Sequence, residues 1–320
     1  MSDSVVVVGG ANIDITAAPY SGFKEHDSNP GHSTISFGGV GRNIAENLSR
    51  LGCKVRFVSV FGDDSFSRAL TDDLENKGID ISLCKTIRGQ SCSKYVCINS
   101  DKGELIAAIN DMSLYDHMDT VITPETIEAM NEADMVVLDA NTTQDLLERI
   151  VPDCRIPIAF DAVSISKVFR CRNILDKLFI FKPNLYEAEE LCRKLESSET
   201  LYPQDFDISD TIGTATHYAS ILLGHGVRNV MISLGSEGVY YDNGTERGII
   251  PSMAYEVINT SGCGDTFLSG TIKGYLNGGS IKDMARYGSA AAAICAASED
   301  TVAPGLSPEK LFEILDRHSM

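Results

Sequence analysis

Basic side chains are scarce in this chain of 320 residues: 27 Lys and Arg stand against 45 Asp and Glu, a formal charge of −18. Nucleic acids and anionic membranes are recognised through clustered Lys and Arg, so this balance argues against both as partners. Long apolar runs are missing too, and no stretch approaches the ~20 residues of a membrane-spanning helix. Nine cysteines are scattered singly, with no C-x-x-C pair and no zinc spacing. That usage suits reduced thiols in a reducing compartment better than a disulfide framework. Neither G-x-x-x-x-G-K-[ST] nor G-x-G-x-x-G occurs, which excludes a P-loop kinase and weakens a dinucleotide-binding reading. Met1 to Ser4 lead straight into Val5–Val8 without a basic segment or a cleavage pattern, so a first strand and a cytoplasmic location are expected.

What is present is alternation. Strand-like apolar runs at residues 5–8, 55–60, 135–138, 156–160, 178–181 and 230–234 are interleaved with helical patterns at 43–51, 65–76, 124–131, 144–150 and 186–195. This predicts an α/β fold, a mostly parallel sheet covered by helices on both faces. Helices at 265–276, 281–297 and 308–317 are expected to close the chain, the last with Ser307 as N-cap before Pro308. Residues 13–37 and 92–109 break the pattern with short β-prone runs between turns, and predict a small sheet inserted as a lid. The core would then comprise 1–12, 38–91 and 110–320. Apolar lid residues such as Ile35 and Phe37 could pair two subunits in a homodimer or be buried on the chain's own core. Residues 196–210 read as a polar surface excursion.

The segment Asn259-Thr260-Ser261-Gly262-Cys263-Gly264-Asp265, followed at once by an apolar helical pattern, sets a carboxylate at a helix N-terminus. Glycines let the backbone approach a ligand, and first-turn N–H groups with the helix dipole favour negative charge. Asp265 could accept a hydroxyl proton there while Gly262, Cys263 and Gly264 form an anion hole, a pairing suited to phosphoryl transfer. Taken alone, the same residues are equally a glycine-containing cap. Cys263 reads first as a plain small residue and is flagged because a helix N-terminus lowers a thiol pKa and would make it prone to oxidation.

Other polar elements stand at predicted strand ends. Asn12 and Asp14 follow the first strand, and Gly38-Gly39-Val40-Gly41-Arg42-Asn43 leads into a helix, with Asn43 able to donate to and accept from vicinal hydroxyls. Lys182-Pro183-Asn184 precedes a helix whose first turn holds Glu187. Asn184 and Glu187 read as a capping pair or, alternatively, Glu187 organises Mg²⁺ through water. Ser233, Gly235 and Gly238 end a further strand where a nucleotide could lie.

In this order the elements resemble the ribokinase-like (PfkB-type) carbohydrate kinases along essentially the whole chain. The resemblance implies a three-layer α-β-α core with a small β-sheet lid, ATP and Mg²⁺ as cofactors, and a nucleoside or sugar as small-molecule substrate. It implies Asp265 as base, Asn12, Asp14, Asn29, Gly38, Gly39 and Asn43 on the substrate, Asn184, Ser233, Gly235, Gly238 and Lys167 towards ATP, and Glu187 on magnesium. Lys167 reads equally as a solvated helix lysine. The family more often has Asp where Asn259 stands, which puts a monovalent-cation requirement such as K⁺ in doubt. Residues 10–15, 27–31, 38–47 and 161–167 look most like the pseudouridine-kinase subgroup. Phosphorylation of a ribosyl 5′-hydroxyl is therefore expected, with a ribokinase, another nucleoside or sugar kinase, or a catalytically inactive nucleotide sensor as alternatives.

Overall fold

The computed structural model describes residues 3–196 and 210–318; the excursion expected between Glu196 and Asp210 lies outside the described residues. The strands are β1 (Ser4–Val8), β2 (Asn12–Pro19), β3 (Gly31–Gly38), β4 (Lys54–Val58), β5 (Val60–Phe61), β6 (Lys85–Thr86), β7 (Lys94–Asn99), β8 (Leu105–Asp111), β9 (Met135–Asp139), β10 (Ile158–Asp161), β11 (Leu178–Lys182), β12 (Asn229–Ser233), β13 (Val239–Asp242) and β14 (Arg247–Ile250). The helices are α1 (Val40–Arg50), α2 (Ser65–Asn76), α3 (Pro124–Glu132), α4 (Gln144–Ile150), α5 (Leu185–Glu196), α6 (Thr211–Gly224), α7 (Cys263–Leu276), α8 (Ile281–Ala296) and α9 (Pro308–Arg317).

The main sheet has the order β14-β13-β12-β11-β10-β9-β1-β4. Its pairs are parallel from β12 to β4, while β13 and β14 form an antiparallel edge. Strand alternation divides the core into two layers. Val5 and Val7 of β1 face the layer that holds α1, α2, α7, α8 and α9, whereas Val6 and Val8 face the layer with α4, α5 and α6. This is the expected three-layer arrangement. Ser307 caps α9 by accepting from Lys310 N–H, as its sequence predicts.

The two irregular stretches pair into a four-stranded sheet, β3-β2-β7-β8. Phe37 packs against the core beside Ile13 and Ile15, with the Arg42 guanidinium over its ring at 5.9 Å. Ile35, two residues away, is 58% exposed. The two apolar residues expected on one face therefore part company, because the sheet projects beyond the core that covers Phe37. Helix α6 and the β13–β14 hairpin were not among the expected elements.

Candidate active site

Three strands of the parallel sheet end on a charged residue: Asp139 in β9, Asp161 in β10 and Lys182 in β11. Their register pairs Asp161 with both neighbours, so all three side chains leave the sheet on one face. Two residues earlier, Val137, Ala159 and Ile180 belong to the core layer that contains Phe267 and Leu268 of α7. Asp161 and Lys182 act on Asp265 in the first turn of α7, Asp139 lies at the end of β1, and all three residues are buried. Lys182 Nζ lies 3.0 Å from Asp161 Oδ2. Desolvation alone would lower the Lys182 pKa, but Asp161, Glu187 and Asp265 together hold it above its ordinary value. Asp139 accepts from the N–H groups of Gly10 (2.9 Å) and Asn141 (2.8 Å).

Helix α7 begins at Gly262, whose φ of 77° is left-handed and which has no side-chain cap. A side chain is excluded there: a Cβ would stand 2.0 Å from the Thr301 carbonyl oxygen. The first-turn amides of α7 are therefore left for something other than a cap. Cys263 N–H makes a long 3.3 Å contact with the Thr260 carbonyl. Asp265, in the same turn, is 8% exposed and accepts from Asn43 Nδ2 at 2.8 Å. Asn47 donates to Thr266 at 3.0 Å and locks α1 against α7 one turn further on. Desolvation, and after it the charge of Asp161, push the Asp265 carboxyl up to about 7 against the opposing influence of Asn43 and Lys182. A carboxyl group titrating there is suited to accepting a proton near neutrality.

Asn12 pairs with Gly38 across β2 and β3, and donates to Asp14 at 2.5 Å. Burial raises the Asp14 carboxyl, opposed by Asn12 and Arg42. Gly39 caps α1 without a side chain, and Arg42 N–H reaches the Gly10 carbonyl at 2.9 Å, joining this helix to the end of β1. Asn12, Asp14, Gly38, Gly39 and Asn43 therefore gather along one rim that continues to Asp265. Asn29 lies elsewhere, in the loop between β2 and β3. Its oxygen accepts from Lys24 N–H at 2.8 Å and its nitrogen donates to the Lys24 and Asp27 carbonyls.

A pocket of about 350 Å³ extends from Ser233, Gly235 and Gly238 to Cys263 and Gly264, walled by apolar residues that include Met253, Val257 and Ala292. Three of the expected nucleotide residues thus share one cavity with the α7 turn. Asn184 bridges to Ser233 and forms a reciprocal cap with Glu187, accepting from Glu187 N–H at 2.9 Å while its own N–H donates to Glu187 Oε2 at 2.8 Å. Glu187 is buried, which raises its carboxyl, with Lys182 opposing. Lys167 stands in the loop before a 3-10 turn at Val168–Cys171 rather than on a helix, and donates to Asn141 Oδ1 at 2.6 Å at the ends of β9 and β10. It is not among the residues that line the 350 Å³ pocket. Among the described residues no group of three or more His, Cys, Asp and Glu could hold a metal ion.

The thiol expectation for Cys263 is corrected. A hydrogen bond shared with Cys295, together with burial, pushes the Cys263 thiol up rather than down. Asn259 has both side-chain atoms engaged, accepting from Ser261 N–H at 2.9 Å in its own loop and donating to the Glu299 carbonyl, beyond α8, at 3.0 Å. Asp139, Asp161 and Lys182 carried no role in the sequence reading. The available signal was a charged residue closing each of three apolar strands, where parallel sheets place ligands.

Known proteins resemble the chain along nearly its whole length. The chain is 29% identical to the pseudouridine kinase of Escherichia coli (strain K12), over 98% of this chain and 97% of that protein. It is 26% identical to the guanosine-inosine kinase of Exiguobacterium acetylicum, over 97% and 98% of the two chains. The structure of Arabidopsis thaliana ribokinase complexed with ribose and ATP superposes with a TM-score of 0.84 over 98% of this chain and 99% of that one, at 20% identity, and shares the fold. A model of the pfkB family of carbohydrate kinases matches residues 2–308, and the chain belongs to that family, as a phosphotransferase acting on a hydroxyl acceptor.

Proposed function

We propose that the protein transfers the γ-phosphoryl group of ATP to the primary 5′-hydroxyl of a ribosyl compound, with pseudouridine as the preferred acceptor and pseudouridine 5′-phosphate as the product. The observation that carries this reading is the meeting of Asp265, held by Asn43, with the uncapped first turn of α7 at one end of the 350 Å³ pocket. Asn43 orients the carboxylate, and Asp265 takes the hydroxyl proton as the new P–O bond forms. The α7 amides face the charge that develops on the transferred group, a stabilisation made beforehand by the fold. Asn12, Asp14, Gly38 and Gly39 would hold the acceptor's other hydroxyls, and closure of the smaller sheet would exclude water.

Glu187 fits a water-mediated Mg²⁺ role. One carboxylate oxygen is engaged by Asn184, the other takes no part in that cap, and Mg²⁺ retains several waters beside one or two carboxylates. When bound, the ion would offset charge on the ATP phosphates. A monovalent-cation requirement is outside this reading, because Asn259 brings no charge and has both side-chain atoms engaged, with Ser261 N–H and the Glu299 carbonyl.

The test is ADP release with pseudouridine, uridine, guanosine, inosine, adenosine, ribose and fructose 6-phosphate as acceptors. The expected result is the highest kcat/KM with pseudouridine. Phosphorylation of ribose alone would overturn the acceptor assignment. Saturable nucleoside binding without ADP formation would mark a sensor rather than an enzyme.

A further inference from the structure

Lys182 has no part in the mechanism above, yet it stands against its central turn. A Cβ built on Gly264 would lie 2.9 Å from Lys182 Nζ, with no other atom in contact. The ammonium group therefore fills the space beside the first turn of α7, next to Gly264 but outside the residues that line the 350 Å³ pocket. Three carboxylates surround it, those of Asp161, Glu187 and Asp265. Asp161 Oδ2, which it touches at 3.0 Å, has no aligned hydrogen-bond partner. The attraction is thus chiefly one of charge, with hydrogen bonding the smaller part. A lysine ammonium is a point charge on a flexible stem and binds phosphate as such, so a small rotation transfers it from one anion to another.

We propose that Lys182 is a further catalytic residue, whose ammonium turns from Asp161 onto the γ-phosphoryl group when ATP enters the pocket. The proposal rests on the kinase reading and adds a cation that the reading lacks. Asp161 is then a positioning residue that holds Lys182 in its pre-binding place. Because Lys182 favours the ionised form of Asp265, its removal should also raise the pH at which the base becomes active.

The experiment compares calorimetric binding of β,γ-imido-ATP and of ADP to the wild type, to Lys182→Met and to the double variant Asp161→Asn/Lys182→Met. The double variant is included because removing one partner of a buried pair can destabilise the fold, whereas a neutral pair need not. Both variants should bind the imido analogue about 10–100-fold more weakly, the range for a hydrogen bond to a charged group. Their ADP affinity should stay within about twofold of wild type. Turnover should fall by about 10²–10³, comparable with the loss of one oxyanion donor, and the acid limb of the kcat profile should move upward. Unchanged discrimination between the two nucleotides, or recovery of wild-type turnover in the double variant, would show Lys182 to be structural. Absence of ADP formation by the wild type would instead refute the kinase reading, and the binding comparison would still report on Lys182.

Discussion

Helices α5 and α7 both start at the edge of the main sheet where its parallel strands end, but they satisfy their first turns in opposite ways. In α5 the side chains of Asn184 and Glu187 close a reciprocal cap, so the helix supplies its own acceptors. In α7 the cap position is Gly262, which has no side chain to offer, and the neighbouring Asp265 is turned instead towards Asn43 of α1. An N-terminus capped by its own residues is a stable beginning; one left uncapped is available to an external anion. The difference lies in side-chain chemistry, since helix dipole and sheet edge are common to both.

Substitutions at the two turns should separate these roles. Asp265→Asn has the largest expected effect, a fall in kcat of about 10²–10⁴, read by steady-state ADP release. Its stability should change in the other direction. The folded carboxyl holds a proton that the unfolded chain has already released, so stability falls as pH rises from the ordinary carboxylate range towards about 7. At pH 8 the Asn variant should therefore match or exceed the parent, by roughly 1–3 kcal/mol in urea unfolding.

Gly262→Ala should cost about 2–4 kcal/mol, combining a left-handed φ with a methyl group forced against the Thr301 carbonyl, and should lower Tm measurably. Glu187→Gln keeps an acceptor for Asn184 N–H, so Tm should hold while the Mg²⁺ concentration for half-maximal rate rises about tenfold. Asn184→Ala, at the capped turn, should cost about 1 kcal/mol. The pH profile of kcat/KM supplies the remaining check. Activity should fall as pH drops below about 7, where Asp265 takes up its proton; a profile flat down to pH 5 would remove Asp265 from the role of base.

Much of this contrast was legible in the sequence. The bounds of α2, α4 and α9 follow from apolar periodicity over 65–76, 144–150 and 308–317. Gly262 to Asp265, and the rim formed by Asn12, Asp14 and Asn43, stood out because glycine and short polar residues interrupt strong strand and helix patterns. Helix α1 begins at Val40, earlier than the periodicity from Asn43 indicates, because a glycine rather than a polar side chain precedes it. The hairpin of β13 and β14 carried a usable signal in Asn243-Gly244 between two β-prone runs. Helix α6 opens with Thr211, Ile212, Gly213 and Thr214, poor helix formers that tertiary packing overrides. Asp161 and Lys182 were each visible as a charge closing an apolar strand, but their pairing was not. It depends on the register between strands separated by 16 residues of intervening chain with no regular helix, and register is a tertiary property.

The account depends on Asp265 acting as the base beside an open helix start, and single-turnover phosphoryl transfer measures that step directly. With saturating ATP and acceptor at pH 8, Asp265→Asn should bind both ligands with near-parental affinity and transfer the phosphoryl group at least about a hundredfold more slowly. Transfer at the parental rate by a correctly folded Asp265→Asn variant would contradict the assignment.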